Sequence, residues 1–424
     1  MKVAFYTLGC KVNQYDTQMM LEKFTQAGYS TVGFDDTADI YVINTCTVTQ
    51  ISDKKSRNII SKAKRRNPDA VIAVCGCFSQ VSPDVVSEID GVDIVIGTRN
   101  RPDILYYINL FLKTGRKIID VKSVSQISNE NITAFSDKTR AIIKIEDGCR
   151  NFCSYCLIPF ARGKIVSKPI GQIKNEAQAL ADNGYKEIVL TGIHLSSYGI
   201  DLENTGLADA VEAVSEIDKI QRIRLGSLEP NIITDDFVKR ISGISKMCAS
   251  FHLSLQSGCD ATLKAMNRKY TSQQYAASVE LLRRYYPDCS VTTDVIVGFP
   301  GESDADFEQS CKFIDSIGFA KVHIFPYSKR ANTKAASMQG QILKSVKHQR
   351  EQILMHIENK NRQRFMSGFI NRTVRVLVER CEDGICSGFT DNYLPVKFSG
   401  SQNLCNTFVY VTVTDANADY LFGC

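Results

Sequence analysis

No apolar run in this chain of 424 residues is long enough to cross a bilayer, which excludes a helical membrane protein. The N-terminus, MKVAFYTLGC, has no basic stretch followed by an apolar core and a cleavage site, so the cytoplasm is the expected compartment and no membrane partner is expected. Tryptophan is absent, which excludes nothing. Histidine is scarce, five residues in all, and His194, His252 and His323 read as satisfied polar residues or neighbours of a bound group rather than as acid–base catalysts. Neither sign of charge is in large excess, and a net +5 does not by itself announce nucleic acid.

What is present describes a globular protein: 44% hydrophobic and 23% charged residues, in a chain too long for one ordinary core, so two or three domains are expected. Two segments are basic. One carries Lys54, Lys55, Arg57, Lys62, Lys64, Arg65 and Arg66; the other runs from Lys344 through Lys347, Arg350, Lys360 and Arg362 to Arg364. Either alone is accounted for by a solvated helix face, and two together bring an RNA partner level with that reading. Fifteen cysteines in a reducing compartment are not expected in disulfides and point instead to metal ligation.

The first hundred residues alternate strand and helix. Strand-like runs at Val3–Thr7, Ile40–Ile43, Val71–Val74 and Val92–Ile96 are separated by amphipathic stretches at Gln14–Ala27 and Asp53–Arg66, which predicts a parallel sheet covered by helices. Cys10, Cys46 and Cys77 each fall just past the C-terminal end of a different strand, where ligands of such sheets gather. The alternative is three small buried thiols, but equivalent topological positions favour an iron–sulfur site. Cys75 also lies there, but strand alternation points it away from its neighbour's direction, and it is assigned to packing.

Farther on, Asp147–Gly163 reads DGCRNFCSYCLIPFARG, with Cys149, Cys153 and Cys156 in C-x3-C-x2-C spacing and Tyr155 before the last. Three thiolates crowded into one turn suit three irons of a [4Fe–4S] cluster and leave the fourth iron open. A structural zinc site would require a second Cys or His pair nearby, and none follows closely; a chance cluster of buried thiols is the other bland reading. After a short helix (Asp103 to Leu112) and a polar stretch containing SVSQISNEN, a plausible linker, six strand-like runs recur with helices between: Ala141–Ile145, Glu187–Leu190, Arg222–Leu225, Ser250–Leu255, Ser290–Val297 and Lys321–Phe325. A partial (β/α)6 barrel fits, open enough for a bulky substrate, with its site at the C-terminal strand ends. A basic helix over Ile342–Phe365 follows, and then RTVRVLVER, YLPVKF and TFVYVTVTD alternate as strands of a small antiparallel β-barrel. The fold class is α/β throughout the first two domains, at 1–113 and 135–364, with the β-barrel at 365–424. Cys381, Cys386, Cys405 and Cys424 have no cluster-like spacing and read as incidental.

The cysteine loop resembles that of the radical S-adenosylmethionine enzymes. The resemblance implies that Cys149, Cys153 and Cys156 hold a [4Fe–4S] cluster whose open iron binds S-adenosylmethionine, the source of a 5′-deoxyadenosyl radical. It further implies that Tyr155 packs near the adenine and that the strand-end segments carrying Thr191, Gly192, Ser227, Glu229, Gln256 and Gly298 surround the cofactor. TLGCKVNQYD, INTCTVT and CGCFSQ are similar to signatures of the methylthiotransferases, a radical family with a second [4Fe–4S] cluster; by that likeness Cys10, Cys46 and Cys77 bind it, and its open iron holds the sulfur to be inserted. Cysteine at position 75 departs from the family pattern, which leaves Cys75 as the alternative to Cys77. The last module resembles the RNA-binding TRAM barrel, here weakly basic with Arg372, Arg375, Arg380 and Lys397.

GCKVNQYD, CSYCLIPFARGK, HLSLQSG, MNRKYT and FPYSKRANTKAA most resemble the branch that methylthiolates C2 of N6-threonylcarbamoyladenosine at position 37 of tRNA. Implied partners are a tRNA anticodon stem-loop, a flavodoxin- or ferredoxin-like electron donor and a sulfur donor. Catalytic side chains are not identified. The threonylcarbamoyl carboxylate calls for a cation, and Arg162, Lys329 and Arg330 are the candidates. Isopentenyl-adenosine in tRNA or a ribosomal-protein aspartate are the alternative substrates. An iron–sulfur electron carrier would need no six-strand barrel, and a pure RNA-binding protein would not explain six placed cysteines.

Overall fold

The structure, a computed structural model, describes residues 1–47, 50–121, 131–135 and 139–424; all of SVSQISNEN except its last residue lies outside them. The N-terminal sheet is built from β1 (Lys2–Thr7), β2 (Ser30–Val32), β3 (Ile40–Thr45), β4 (Val71–Gly76), β5 (Ile94–Ile96) and β6 (Ile118–Asp120), ordered 2-1-3-4-5-6 with every pairing parallel. Its central strands, IYVINT and VIAVCG, are buried at every position, as strands covered on both faces must be. Helix α1 (Lys11–Gln26) begins immediately after Cys10. The edge strands β2 and β6 add to the four expected, and β6 carries the sheet past residue 113.

The second unit begins with β7 (Arg140–Lys144), a two-residue pair β8 (Glu146–Asp147) with β9 (Val166–Ser167), then β10 (Glu187–Thr191), β11 (Arg222–Leu225), β12 (Ser250–His252), β13 (Ser290–Val297) and β14 (Lys321–Pro326). The long strands form two parallel triplets, 7-10-11 and 12-13-14. They are joined where Leu228 N donates to His252 O (2.8 Å) and Ser254 N to Leu228 O (2.9 Å), giving a six-stranded partial barrel in chain order.

A helix over Lys344–Ser367 leads to a closed barrel of β15 (Thr373–Glu382), β16 (Ile385–Thr390), β17 (Pro395–Ser399), β18 (Phe408–Ala416) and β19 (Leu421–Gly423). Its pairings are antiparallel except β17 with β19. The hairpin register sets Cys381 opposite Cys386, and a disulfide joins them, which corrects the expectation that the chain's cysteines stay unpaired: strand pairing, not spacing in the sequence, brings these two together. This small barrel closes the N-terminal end of the larger one. Arg222, first residue of β11, donates to Phe389 O (2.8 Å) and Arg375 O (2.7 Å), and Ser290 Oγ, first in β13, to Asn392 O (2.6 Å). Among the described residues no helix is long and apolar enough to cross a membrane.

Candidate active site

Cys149, Cys153 and Cys156 follow β8 in a loop whose entry depends on Gly148. Its φ is +120°, and a Cβ there would sit 2.1 Å from Lys164 O. Cys149 N donates to Gly163 O (3.2 Å) and Cys156 N to Cys153 O (2.9 Å), so the loop closes on itself. Burial pushes the Cys149 thiol up to about 11 and the Cys156 thiol up to about 12, with charge on Cys153 adding to both. Thiolates crowded this way need a cation to balance them, which is what iron supplies. Arg268 stands beside them: Nη1 donates to Cys153 Sγ (3.2 Å), Nη2 pairs with Glu229 Oε1 (2.6 Å) and Nε donates to Tyr270 Oη (2.9 Å). The donor set fits an iron–sulfur cluster.

Several of the expected cofactor neighbours meet around this loop. Glu229 accepts from Asn151 Nδ2 (2.8 Å) and lies 3.2 Å from His194 Nε2, so both its oxygens are engaged; burial works against its charge, but His194 and Arg268 hold the carboxyl below its ordinary range. Thr191 ends β10, and at Gly192 a Cβ would lie 2.6 Å from Glu146 Oε2, which also accepts from His194 N (2.7 Å). Tyr155 stands edge-on to Phe299, 6.3 Å between ring centroids, beside Gly298, whose N donates to Glu302 Oε2 (2.7 Å) at φ +69°. Gln256 also takes positive φ, its backbone pinned between Asp294 O and Ile296 N at 2.9 Å each. Ser227 lies in the wall of the central cavity.

The second triad is assembled by topology. Cys10, Cys46 and Cys77 follow β1, β3 and β4, whose pairing sets their C-terminal ends side by side. Two glycines permit the approach. A Cβ on Gly9 (φ +110°) would lie 3.0 Å from Cys46 Sγ, and one on Gly76 (φ +102°) would lie 2.4 Å from Thr45 O. Cys10 is open to solvent on one side; the protein packed around the rest of it pushes its thiol up, and Arg162 opposes that shift. Cys75 is buried in the core with Val3, Ile40 and Val42, and burial pushes its thiol up to about 12.

Arg162 comes from the loop of the first triad yet reaches the second. Its Nη2 donates to Asn13 Oδ1 (2.5 Å), and Asn13 Nδ2 donates to Leu8 O (2.7 Å) and Thr45 O (3.0 Å), bracing the strand ends that carry Cys10 and Cys46. The guanidinium also pairs with Asp147 (3.1 Å) and Asp16 (3.2 Å); Asp16 takes Lys144 (2.5 Å) and Arg101 (2.8 Å) as well. Three buried cations face two buried carboxylates, and the surplus positive charge suits an anionic thiolate-bound cluster beside it.

The three substrate candidates are placed differently. Arg162 is fully buried and committed to Asp16 and Asp147. Arg330 is buried too, paired with Asp53 (2.7 Å) and donating to Thr47 Oγ1 (2.6 Å), so it ties the barrel to the N-terminal domain. Lys329 is exposed. A cavity of about 1210 Å³ lies inside the partial barrel, walled by Ile142, Val189, Leu225 and Ser227, floored by Phe389 and Tyr393 of the small barrel, and flanked by Lys11 and Gln14 of α1. His252, Asp294 and His323 face it from adjacent strands, their ligating atoms within 4.8 Å of one another; His252 Nδ1 is also 3.0 Å from Thr292 Oγ1. Arg268, Glu146 and Lys11 were not picked out from the sequence. Arg268 lies in MNRKYT, and Lys11 follows Cys10 directly, so adjacency to a motif was the available signal.

Residues 2–97 match the family described as "Uncharacterized protein family UPF0004" and residues 143–314 match the Radical SAM superfamily. The chain is 40% identical to the threonylcarbamoyladenosine tRNA methylthiotransferase MtaB of Bacillus subtilis, covering 99% of this chain and 95% of that protein. It is 36% identical to the protein of the same name from Thermotoga maritima, covering 100% and 96%. The tRNA-2-methylthio-N(6)-dimethylallyladenosine synthase of Clostridium tetani is 33% identical, covering 96% and 92%. Among solved structures, the radical S-adenosylmethionine methyltransferase TsrM from Kitasatospora setae superimposes with a TM-score of 0.60 at 13% identity, over 79% of this chain and 77% of that one, a shared fold.

Proposed function

This chain belongs to the radical S-adenosylmethionine tRNA methylthiotransferases, enzymes that work with two [4Fe–4S] clusters, and on that footing we propose that its substrate is N6-threonylcarbamoyladenosine at position 37 of tRNA and its product the 2-methylthio derivative. The observation that carries the proposal is the cavity of about 1210 Å³, large enough for a modified nucleoside and lined by six cations, two of which, Lys11 and Lys321, have no ion-pair partner among the described residues. Such a lining favours a substituent that ends in a carboxylate over an isopentenyl group, which has no charge. The relatives named for threonylcarbamoyladenosine, at 36–40% identity, stand above those named for dimethylallyladenosine, at 33–34%, and that order agrees.

When bound, the clusters and S-adenosylmethionine supply a carbon radical and the methylthio group, chemistry that no side chain offers. The protein's part is placement. In this reading Cys149, Cys153 and Cys156 ligate one cluster and Cys10, Cys46 and Cys77 the other. Tyr155, Thr191, Gly192, Ser227, Glu229, Gln256 and Gly298 line the cofactor site. Arg268 offsets thiolate charge on the first triad and holds Glu229 by the same guanidinium. The small C-terminal barrel grips the anticodon stem-loop, a flavodoxin- or ferredoxin-like protein supplies electrons, and a separate donor restores the sulfur. The reconstituted protein, offered tRNA carrying threonylcarbamoyl-adenosine or isopentenyl-adenosine, should form the methylthio nucleoside on the first only, read by nucleoside mass spectrometry. Product on the isopentenyl tRNA alone would overturn the proposed substrate.

A further inference from the structure

Of the six cations around the central cavity, four already have partners. Arg140 pairs with Glu379 (2.9 Å), Arg224 with Glu187 (2.6 Å), Arg362 with Asp419 (3.1 Å) and Arg380 with Glu382 (3.5 Å). Of the two carboxylates in the wall, Glu379 is taken by Arg140, and Asp294 lies 3.3 Å from His252 Nε2. Lys11 and Lys321 remain, and neither side chain makes a hydrogen bond or ion pair with any described residue. They differ in origin. Lys321 is the first residue of β14, at the end of the barrel closed by the C-terminal module. Lys11 comes from the other domain: it opens α1, and the residue before it is Cys10.

Purine geometry gives that adjacency a meaning. C2 and the exocyclic N6 flank N1 on one edge of the adenine ring. A base that turns C2 toward the centre held by Cys10 therefore turns its N6 substituent toward the flank of the same centre. We propose that Lys11 is the specificity-determining residue of this enzyme: its ammonium, projecting from the residue after Cys10 into the barrel cavity, binds the carboxylate carried by the N6 substituent of the substrate adenosine. The inference rests on the substrate reading above and adds which residue enforces it. The solvation of an unpaired ammonium in a wet cavity is what the carboxylate must displace. A charge-assisted hydrogen bond gained there should favour the threonylcarbamoyl substrate by about ten- to a hundredfold.

The test compares binding of reconstituted enzyme to one tRNA bearing threonylcarbamoyl-adenosine, the same tRNA with plain adenosine, and the threonylcarbamoyl tRNA with its carboxylate methyl-esterified. In the parent protein, esterification should remove most of the preference over plain adenosine. K11Q should lose that preference by about ten- to a hundredfold while its affinity for the plain tRNA stays put, and K11R should keep most of it. Iron content of each variant reports whether the neighbouring Cys10 site is intact, and the ester on the parent protein tests the carboxylate contact with no substitution at all. Equal weakening on both tRNAs would make Lys11 a phosphate contact and overturn the proposal. So would a preference lost in K321Q and kept in K11Q, or a parent protein indifferent to the ester. A parent protein that methylthiolates only isopentenyl-adenosine would instead overturn the substrate reading itself.

Discussion

Cys149, Cys153 and Cys156 share one loop of eight residues, whereas Cys10, Cys46 and Cys77 come from three strand ends more than thirty residues apart. The loop triad is held by short-range bonds, Cys156 N to Cys153 O and Cys149 N to Gly163 O, and by Arg268 from one barrel segment. The strand-end triad has no such local frame. Its geometry is inherited from the parallel sheet, from Gly9 and Gly76 where a Cβ would not fit, and from Asn13 braced by Arg162 of the other domain. A site made of one loop survives as long as the loop does. A site made of three strands and an interdomain guanidinium depends on the whole interface, so perturbing that interface should reach one cluster and spare the other.

The largest effects should come from removing either triad. Changing Cys149, Cys153 and Cys156 together to Ala should halve the iron bound and abolish cleavage of S-adenosylmethionine to 5′-deoxyadenosine. The same change at Cys10, Cys46 and Cys77 should also halve the iron, keep 5′-deoxyadenosine formation and stop methylthio product. Cofactor cleavage surviving in the first variant, or vanishing in the second, would collapse the division of labour.

Next in size is Arg162→Met. It leaves Asp16 and Asp147 buried and facing each other with less positive charge between them, a loss of about 3–5 kcal/mol for a broken buried pair. Chemical unfolding of cluster-free protein measures it, and iron analysis after reconstitution should show the strand-end cluster weakened more than the loop cluster. An unchanged midpoint with both clusters full would show that the interface network does not support either site.

The loop triad was legible because its spacing is contiguous, and the strand-end triad because alternating strand and helix places Cys10, Cys46 and Cys77 on one sheet edge. What stayed hidden is pairing at long range. A charged residue such as Arg162 or Arg330 reads as surface or substrate contact until Asp16, 146 residues away, or Asp53, 277 away, is seen to take it. The strands Ser30–Val32 and Ile118–Asp120 are three residues each and largely uncovered, so they carry no apolar period. Cys381 and Cys386 became partners only once the hairpin register was known. Lys11 stays hidden because the amphipathic stretch of α1 shows in the sequence only from Gln14, three residues after it, and a lone lysine beside a cysteine announces nothing.

A smaller effect separates the two buried carboxyls behind the loop. Burial raises Glu146 to about 8, only partly offset by backbone N–H donors, whereas Asp147, equally buried, is held well below the usual range by Arg162, Arg99 and Lys144. The signs are opposite. Asp147 contributes stability above its unfolded pKa of about 4, lost as pH falls toward its depressed folded value. Glu146 keeps its proton in the folded state while the unfolded chain ionises near about 4.3, so stability falls as pH rises from there to about 8 and is level beyond. Glu146→Gln keeps an acceptor for His194 N and should flatten that fall in unfolding measured between about pH 5 and 8. A slope identical to the parent protein's would show that Glu146 is not the group responsible.

The smallest effect, and the one that sharpens the strand-end triad most, is Cys75→Ala. Cys75 is the penultimate residue of β4, in register with Asn44, and its side chain is buried with Val3, Ile40 and Val42 on the face covered by α1. Cys77 lies two residues on, beyond the turn at Gly76, where the chain has left the strand and begun a helix. A thiol pushed up to about 12 by burial, with Asp16 among its neighbours, makes a poor source of thiolate, while its sulfur fills core space. Removing it should therefore cost about 1 kcal/mol of packing, visible as a small shift in the unfolding midpoint, and leave two clusters' worth of iron. Loss of one cluster in this single variant would reassign the third ligand from Cys77 to Cys75, and with it the position of the sulfur-bearing centre relative to the sheet.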